Sequence, residues 1–413
     1  MFTLAAEPLT SRVPARALLI GSVAAVLVLA AVTHPATGVV RPERDDQVVA
    51  RVPARADADV QALEALQKSV ERAPGDRNRA LALARAYIEA SRREGDPRYL
   101  GAAEAALLPF AAAPDPAAEV RLLRATILQS RHDFGGALVD LERALEQEPA
   151  NAQAWLTRAT VLTVVGRYDE ARASCEQLTS LVSSALHVAC LAPIQALTGE
   201  AAQASAALAG ALQHTRDTSE QAYLHSLAGE VSYWSGATEL SEHHLRAALA
   251  IDAGDRYTRA LYADLLLDTG RAEQARQLVQ AHRADDALLL REALAELALH
   301  ERQGPASARA REGFAASRLR GDSVHQREEA RLWLALGDPK RALPLALASW
   351  ALQHEAWDAR LVLEAAQRTG DVAAAQPVLA WLETTHFEAP HVRASAAALR
   401  GGVAARTSES EKP

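Results

Sequence analysis

Aromatic residues and cysteines are scarce in this chain of 413 residues. Phe, Trp and Tyr make up 4% of the sequence, whereas β-sandwiches and β-barrels depend on Val, Ile, Thr and aromatic residues. The chain consists largely of Ala, Leu, Arg, Glu and Gln, which are strong helix formers. The composition therefore argues against an all-β protein and predicts an all-α fold.

The chain also lacks the charge and the motifs of several functional classes. Its formal net charge is −8 and its isoelectric point about 5.9, whereas nucleic-acid-binding domains usually have a basic face or a pI above about 9. It contains no His-x-x-x-His pair, no HExxH motif, no glycine-rich phosphate loop and no Ser/His/Asp order. We therefore expect no nucleic acid, no metal and no cofactor to bind, and we expect His243 and His244 to be an exposed surface pair.

The N terminus contains an uncharged run at residues 17–32, which Arg12 and Arg16 precede. The run is slightly longer than the apolar core of about 7–15 residues in a secretory signal. It is slightly shorter than the roughly 20 residues that span a bilayer. Two interpretations of residues 1–38 stay open, an uncleaved membrane anchor or a cleaved signal peptide, and a buried N-terminal helix is the alternative. The first two predict that most of the chain is exported.

Residues 118–178 contain two segments that match when one is shifted by 34 residues. The matched pairs are Ala125 with Ala159, Leu128 with Leu162, Phe134 with Tyr168, and Ala137 with Ala171. This period, with small residues at two fixed points and an aromatic residue just before the second, is the signature of the tetratricopeptide repeat. Each such unit is a pair of helices.

Similar spacings continue along the chain and predict about nine helix pairs within residues 60–400. One pair cannot bury its apolar stripe alone, so neighbouring pairs should stack into a right-handed α-solenoid with a concave groove. The predicted pairs start near residues 77, 118, 152, 185, 222, 256, 290, 323 and 356. Residues 39–59 should form a linker and residues 401–413 a disordered tail. Pro193 should bend the first helix of the fourth pair. The agreement with the repeat pattern becomes weak at residues 286–319.

The tetratricopeptide match covers residues 77–382. Residues 93–101, 120–134 and 155–160 also resemble an uncharacterised family of exported proteobacterial tetratricopeptide repeat proteins. The resemblance implies a place in the bacterial envelope and a scaffold role, and it carries no catalytic residues. Tetratricopeptide domains as a class bind peptides or proteins. We therefore expect a protein held in the inner membrane by residues 17–32 and facing the periplasm, or a periplasmic protein if that segment is cleaved.

Three functional hypotheses follow. The favoured one is a non-enzymatic scaffold that binds a protein or peptide in the concave groove. The second is an assembly factor or chaperone for an envelope or metalloprotein system, which would release its client. An enzyme is disfavoured, because the repeats account for almost every residue and leave no second domain.

The first helix of each pair lines the groove in such repeats. This geometry directs a set of side chains in the fifth and sixth pairs toward the groove: Tyr223, Glu230, Tyr233, Trp234, Tyr257, Asp264 and Asp268. Aromatic residues are enriched at binding hot spots, and the acidic residues would favour a basic or amine-bearing ligand. Alternatively, Tyr233 and Trp234 simply pack between repeats. In the eighth pair, Arg327 and Arg331 could hold a carboxylate or belong to a solvated charged face.

The two cysteines fall on neighbouring predicted helices. Cys175 lies on the second helix of the third pair and Cys190 on the first helix of the fourth. Adjacent helices of a solenoid pack, so a disulfide is possible if the chain is in an oxidising compartment. Two buried free cysteines acting as small apolar side chains are the alternative.

Overall fold

The computed structural model describes residues 58–282, 285–301, 304–319, 321 and 324–410. The predicted anchor or signal peptide at residues 1–38, and the predicted linker up to residue 57, lie outside the described residues. The compact unit discussed below begins at Gln61. None of the described helices combines the length and the apolar character needed to cross a bilayer.

The described residues form α-helices and no β-strand, which confirms the predicted all-α solenoid. The helices are α1 (Ala58–Arg72), α2 (Arg77–Glu94), α3 (Arg98–Ala111), α4 (Ala118–Ser130), α5 (Phe134–Gln147), α6 (Ala152–Val164), α7 (Tyr168–Glu176), α8 (Ser184–Leu197), α9 (Ala201–His214), α10 (Thr218–Trp234), α11 (Thr238–Ile251), α12 (Arg256–Asp268), α13 (Ala272–Val279), α14 (Asp286–Ala298), α15 (Pro305–Leu319), α16 (Gln326–Leu336), α17 (Pro339–Leu352), α18 (Ala356–Thr369), α19 (Val372–Thr385) and α20 (Pro390–Ser410). Helices α2 to α19 form nine consecutive pairs, with α1 before them and α20 after them. Two short 3₁₀ helices, Gln177–Ser180 and Gln280–His282, follow α7 and α13.

Local sequence signals define many of the helix boundaries. Asp76, Asn151 and Asp255 precede α2, α6 and α12, and their side chains accept hydrogen bonds from the first backbone N–H groups. Helix α8 contains Pro193 in its interior, as expected. One boundary differs from expectation, because α20 continues to Ser410, through residues 401–410 where a disordered tail is predicted. Ala404, Ala405 and Arg406 in that stretch are strong helix formers.

Buried alanines occupy the predicted contact positions of the second and third pairs. Ala125 and Ala137 are 0% exposed, and so is Ala171, while Ala159 is 2% exposed. A small side chain at these points lets two helices approach closely, and the leucines beside them fill the space between pairs. Leu162 is 0% exposed, and burying one leucine contributes about 1.5–3 kcal/mol. The predicted period therefore corresponds to real packing positions.

Helix pairs that are distant in sequence also touch, along a line that we call the seam. The seam consists of the turns at Gly95, Gly166 and Gly199 and the segments at Arg256, His354 and His386 that they contact. At its centre the backbone N–H of His354 donates to the Val164 carbonyl oxygen at 2.6 Å. The turn of the third pair thus meets the segment that precedes the ninth pair. Helix pairs that are far apart in the chain are therefore in direct contact along the seam.

Candidate functional site

Two of the predicted groove residues are part of the core. Tyr233 and Trp234 are 3% and 6% exposed, respectively. The Trp234 ring lies edge-on against Trp357 of α18, with ring centres 5.3 Å apart. Neither side chain is available to a partner, so the interpretation that they pack between repeats describes them, and their assignment to a partner-binding groove needs correction. The physical reason is that two side chains of α18, Trp357 and Arg360, pack against them.

Asp264 is buried between two arginines and is also unavailable to a partner. Its carboxylate accepts hydrogen bonds from Arg291 Nη2 and Arg331 Nη2, both at 2.7 Å. Burial alone would raise the pKa of Asp264, but the charges and hydrogen bonds of the two arginines lower it below its ordinary value. Arg331 therefore does hold a carboxylate, as the sequence suggested. That carboxylate belongs to this chain, and the alternative of a solvated charged face is wrong.

Arg327 likewise pairs with carboxylates of this chain. Its Nε and Nη2 donate to the two carboxylate oxygens of Asp358 at 3.0 and 2.7 Å, and Nη2 also contacts Glu355. The hydroxyl group of Ser349 donates to Asp358 Oδ1 at 2.6 Å. Such a bidentate pair fixes the orientation of α16 relative to α18. The side chain of Arg327 is 19% exposed, so it does not form a solvated charged face either.

Asp268 is paired with an arginine that sequence analysis did not select. Arg360 donates to its two oxygens at 2.6 and 2.9 Å. The hydroxyl group of Tyr233 donates to Asp268 Oδ2 at 2.6 Å. The ion pair joins α12 to α18, so Asp268 stabilises the solenoid rather than presenting a free carboxylate.

Trp357 is at the centre of this set of contacts and was missed by the sequence analysis. The guanidinium carbon atoms of Arg331 and Arg360 lie 3.8 and 4.8 Å from the centre of its ring. Trp357 is the second residue of α18, as Tyr257 is of α12. This shared position within the pair is the signal that could have identified it.

Three predicted groove residues remain accessible: Tyr223, Glu230 and Tyr257. Tyr223 and Tyr257 are 45% and 57% exposed, and Glu230 is half-buried. Burial raises the pKa of Glu230 to about 7, although a hydrogen-bonding interaction with the Tyr257 hydroxyl group opposes this shift. We call these three residues the concave site. It combines two exposed aromatic rings with one carboxyl group.

A recess opens beside the seam, with a cavity volume of about 630 Å³. Its lining includes Gly95, His132, Phe134, Arg327 and Glu355. Arg327 is its only predicted groove residue, and that side chain is bound to Asp358. The charged lining of the recess is thus partly neutralised from within the chain.

The histidines of the fifth pair differ from expectation. His243 is exposed, but His244 is half-buried, and its Nδ1 lies 3.0 Å from Nδ1 of His225. Burial lowers the pKa of His244 to about 4, so the ring is neutral at pH 7. Within the described part of the chain, no group of three or more His, Cys, Asp or Glu residues is arranged to hold a metal ion.

Cys175 and Cys190 are joined as a disulfide in the structure, with Cα atoms 5.7 Å apart. The bond links α7 to α8, the neighbouring helices to which the sequence assigns the two cysteines. It therefore connects the third helix pair to the fourth.

Residues 128–181 match a family model described as tetratricopeptide repeat. No curated protein matches this sequence. Several solved structures are similar in fold. The chain is 15% identical to a chain of the Cut9–Hcn1 hetero-tetramer of APC/C, with a TM-score of 0.41, covering 74% of this chain and 52% of that one. It therefore spans about half the length of that protein.

Two other solved structures are similar at comparable levels. A tetratricopeptide repeat protein from Parabacteroides merdae is 14% identical, with a TM-score of 0.37 and coverage of 60% of this chain and 98% of that one. The human IFIT1 dimer with m7Gppp-AAAA is 14% identical, with a TM-score of 0.45 and coverage of 83% of this chain and 86% of that one. These likenesses are too distant to assign a ligand. The resemblance to an exported proteobacterial family stays a prediction. Residues 128–181 thus match the tetratricopeptide repeat, and the helix pairs before and after them in the described part of the chain repeat the same architecture.

Proposed function

We propose that this protein is a non-enzymatic scaffold that binds a protein or peptide segment at the concave site. The tetratricopeptide fold suggests a role in protein–protein interaction. The observation that carries the more specific proposal is the exposure of Tyr223 and Tyr257, at 45% and 57%, on the first helices of neighbouring pairs. Tyrosine supplies a large contact area at low entropic cost and is enriched at binding hot spots.

We place the solenoid on the periplasmic side of the inner membrane as part of the same proposal. The apolar run at residues 17–32, with Arg12 and Arg16 before it, supports export. The disulfide between Cys175 and Cys190 supports an oxidising compartment, because disulfides are rare in the reducing cytosol.

Crosslinking in the native cells, followed by capture of the full chain, tests the binding proposal. The Tyr223→Ala/Tyr257→Ala double variant should lose at least about 90% of its crosslinked partner, because removing two hot-spot rings costs more than about 1.4 kcal/mol. The matched control is Leu240→Ala/Ile251→Ala, which removes side chains that are 45% and 41% exposed on α11 of the fifth pair. This control should retain the partner.

Two other outcomes of the crosslinking experiment would change the proposal. An unchanged partner in the tyrosine double variant, with circular dichroism showing an intact fold, would overturn the concave site. A partner that depends on the tyrosines but is captured only transiently would instead indicate an assembly factor or chaperone that releases its client.

A further inference from the structure

Glu230 differs from the other acidic residues predicted to face the groove. Asp264 has two arginine partners, and Asp268 has one. Glu230 lies on the same concave surface, yet it forms no ion pair within the described part of the chain. A carboxylate without a cation in a recessed position costs free energy, so its surroundings are informative about what could compensate it.

The surroundings of Glu230 are aromatic and acidic. Tyr223 precedes it by two helical turns on the same face of α10, about 10 Å away along the helix axis. The Tyr257 hydroxyl group interacts with the carboxyl group from α12. Glu355 and Arg327 are the other charged groups that act on it, the first raising and the second lowering its pKa.

The nearby arginine does not neutralise Glu230. Arg327 carries one positive charge and is bound by Asp358 and Glu355, which carry one negative charge each. These three residues therefore sum to one negative charge before Glu230 is counted. Arg327 is thus already matched by two carboxylates of this chain and leaves the charge of Glu230 uncompensated.

We infer that the concave site binds a cationic side chain, lysine or arginine, of the partner segment. The Glu230 carboxylate is the counterion, and the rings of Tyr223 and Tyr257 provide apolar and cation–π contacts to the same group. This inference rests on the proposed scaffold function and specifies the chemistry of its partner.

The titration of Glu230 supports the assignment. Its pKa of about 7 lies above its ordinary value of 4.5, so the fold favours the protonated acid. The favourable contribution is fully present below pH of about 4 and is lost as pH rises toward 7. At pH 8 the carboxylate therefore destabilises the fold, which is typical of a residue retained for binding rather than for stability.

Peptide titration of the full chain in detergent tests the inference. The probes are fluorescein-labelled Gly-Ser peptides that contain two lysines, two arginines, two glutamates or none of these, measured by fluorescence anisotropy at pH 8. The lysine or arginine probe should bind, and Glu230→Gln should weaken it at least about tenfold. The matched control is Glu239→Gln, which removes the same charge from an exposed residue on α11 and should leave the affinity unchanged.

A stability measurement separates a binding residue from a structural one. Glu230→Gln should raise the thermal midpoint by about 1–5 °C at pH 8 and leave it unchanged at pH 4. A variant that binds the cationic probe more weakly yet is more stable fits the inference. Equal weakening by Glu230→Gln and Glu239→Gln would show nonspecific attraction to a chain of net charge −8 and would overturn it, as would destabilisation by Glu230→Gln at pH 8.

The two proposals fail in different ways. If the tyrosine double variant loses its cellular partner but Glu230→Gln keeps it, the scaffold stands and the cationic inference fails. If the cationic probe depends on Glu230 but the cellular partner depends on none of the three residues, the binding chemistry stands and the proposed function fails.

Discussion

The first four helix pairs and the last four stabilise the solenoid by different means. Among the described residues of 77–214, one charged residue, Asp140, is buried, whereas eight are buried among those of 256–385. The eight are Asp264, Asp285, Arg291, Glu292, Glu296, Glu329, Arg331 and Asp358. The early pairs therefore bury one ion-paired carboxylate, Asp140 beside Arg121 and Arg124, within an alanine and leucine core, while the later pairs bury several charged groups.

The difference shows that side chains on the concave surface of a solenoid can pair with one another instead of binding a partner. In the later pairs Asp264, Asp268 and Asp358 each bind arginines from other first helices, and Trp357 packs against two of those arginines. Buried ion pairs contribute little net stability but fix geometry, because a partly broken pair is costly. Tyr223, Glu230 and Tyr257 of the fifth and sixth pairs are the predicted groove residues that this arrangement leaves accessible.

The largest expected difference in unfolding free energy comes from replacing a buried aspartate of each region with asparagine. Asp264→Asn should cost about 3–5 kcal/mol at pH 7, because it leaves Arg291 and Arg331 buried without a carboxylate. Asp140→Asn should cost less than about 1 kcal/mol, because burial raises the pKa of Asp140 despite Arg121 and Arg124 and so disfavours its charge. Denaturant unfolding followed by circular dichroism measures both. Equal losses would show that the two regions do not differ.

The next effect concerns the covalent link of the first region. The Cys175→Ala/Cys190→Ala variant should lose about 3 kcal/mol of unfolding free energy, since the bond closes a loop of about 15 residues in the unfolded chain. Denaturant midpoints with and without reductant provide the measurement. Reductant should destabilise the wild-type chain and leave the variant unaffected, and a wild-type midpoint that ignores complete reduction would contradict this role.

The smallest expected effect is the difference in stability between alanine substitutions at a glycine of the seam and at a glycine outside it. Gly166 and Gly270 both have positive φ, at 77° and 73°, so alanine strains either turn by about 1 kcal/mol. A Cβ atom at Gly166 would also lie 2.7 Å from His354 Nδ1, whereas one at Gly270 would meet nothing within 4 Å. Gly166→Ala should therefore cost about 1–2 kcal/mol more than Gly270→Ala.

Thermal unfolding of both glycine variants tests the seam. Adding His354→Ala to Gly166→Ala should remove most of the extra cost, because the ring that the new Cβ would meet is then absent. The same addition should not rescue Gly270→Ala. Equal costs for the two glycine variants would show that the superhelical turns do not press together at this point.

Particular residues show how far sequence reasoning reached. Ala125 and Ala159 predicted the helix pairs because close packing of two helices requires a small residue at a regular spacing, and both alanines are buried. For Arg331 the sequence left two readings open, a bound carboxylate or a solvated charged face, and its partner Asp264, 67 residues away, could not be identified. Pairing across two repeats depends on the rotation between successive pairs, which no short-range pattern encodes.

The sequence alone determined the repeating unit, its helices and its packing face. Helix propensity, capping residues and the 34-residue spacing act within one or two repeats, so they are visible without coordinates. Only the tertiary structure decided which of the side chains predicted to face the groove are buried, as Tyr233 is, and which stay accessible, as Tyr257 is. The physical reason is that small rotations accumulate along a solenoid and bring distant pairs together, and these contacts select the surface that remains for a partner.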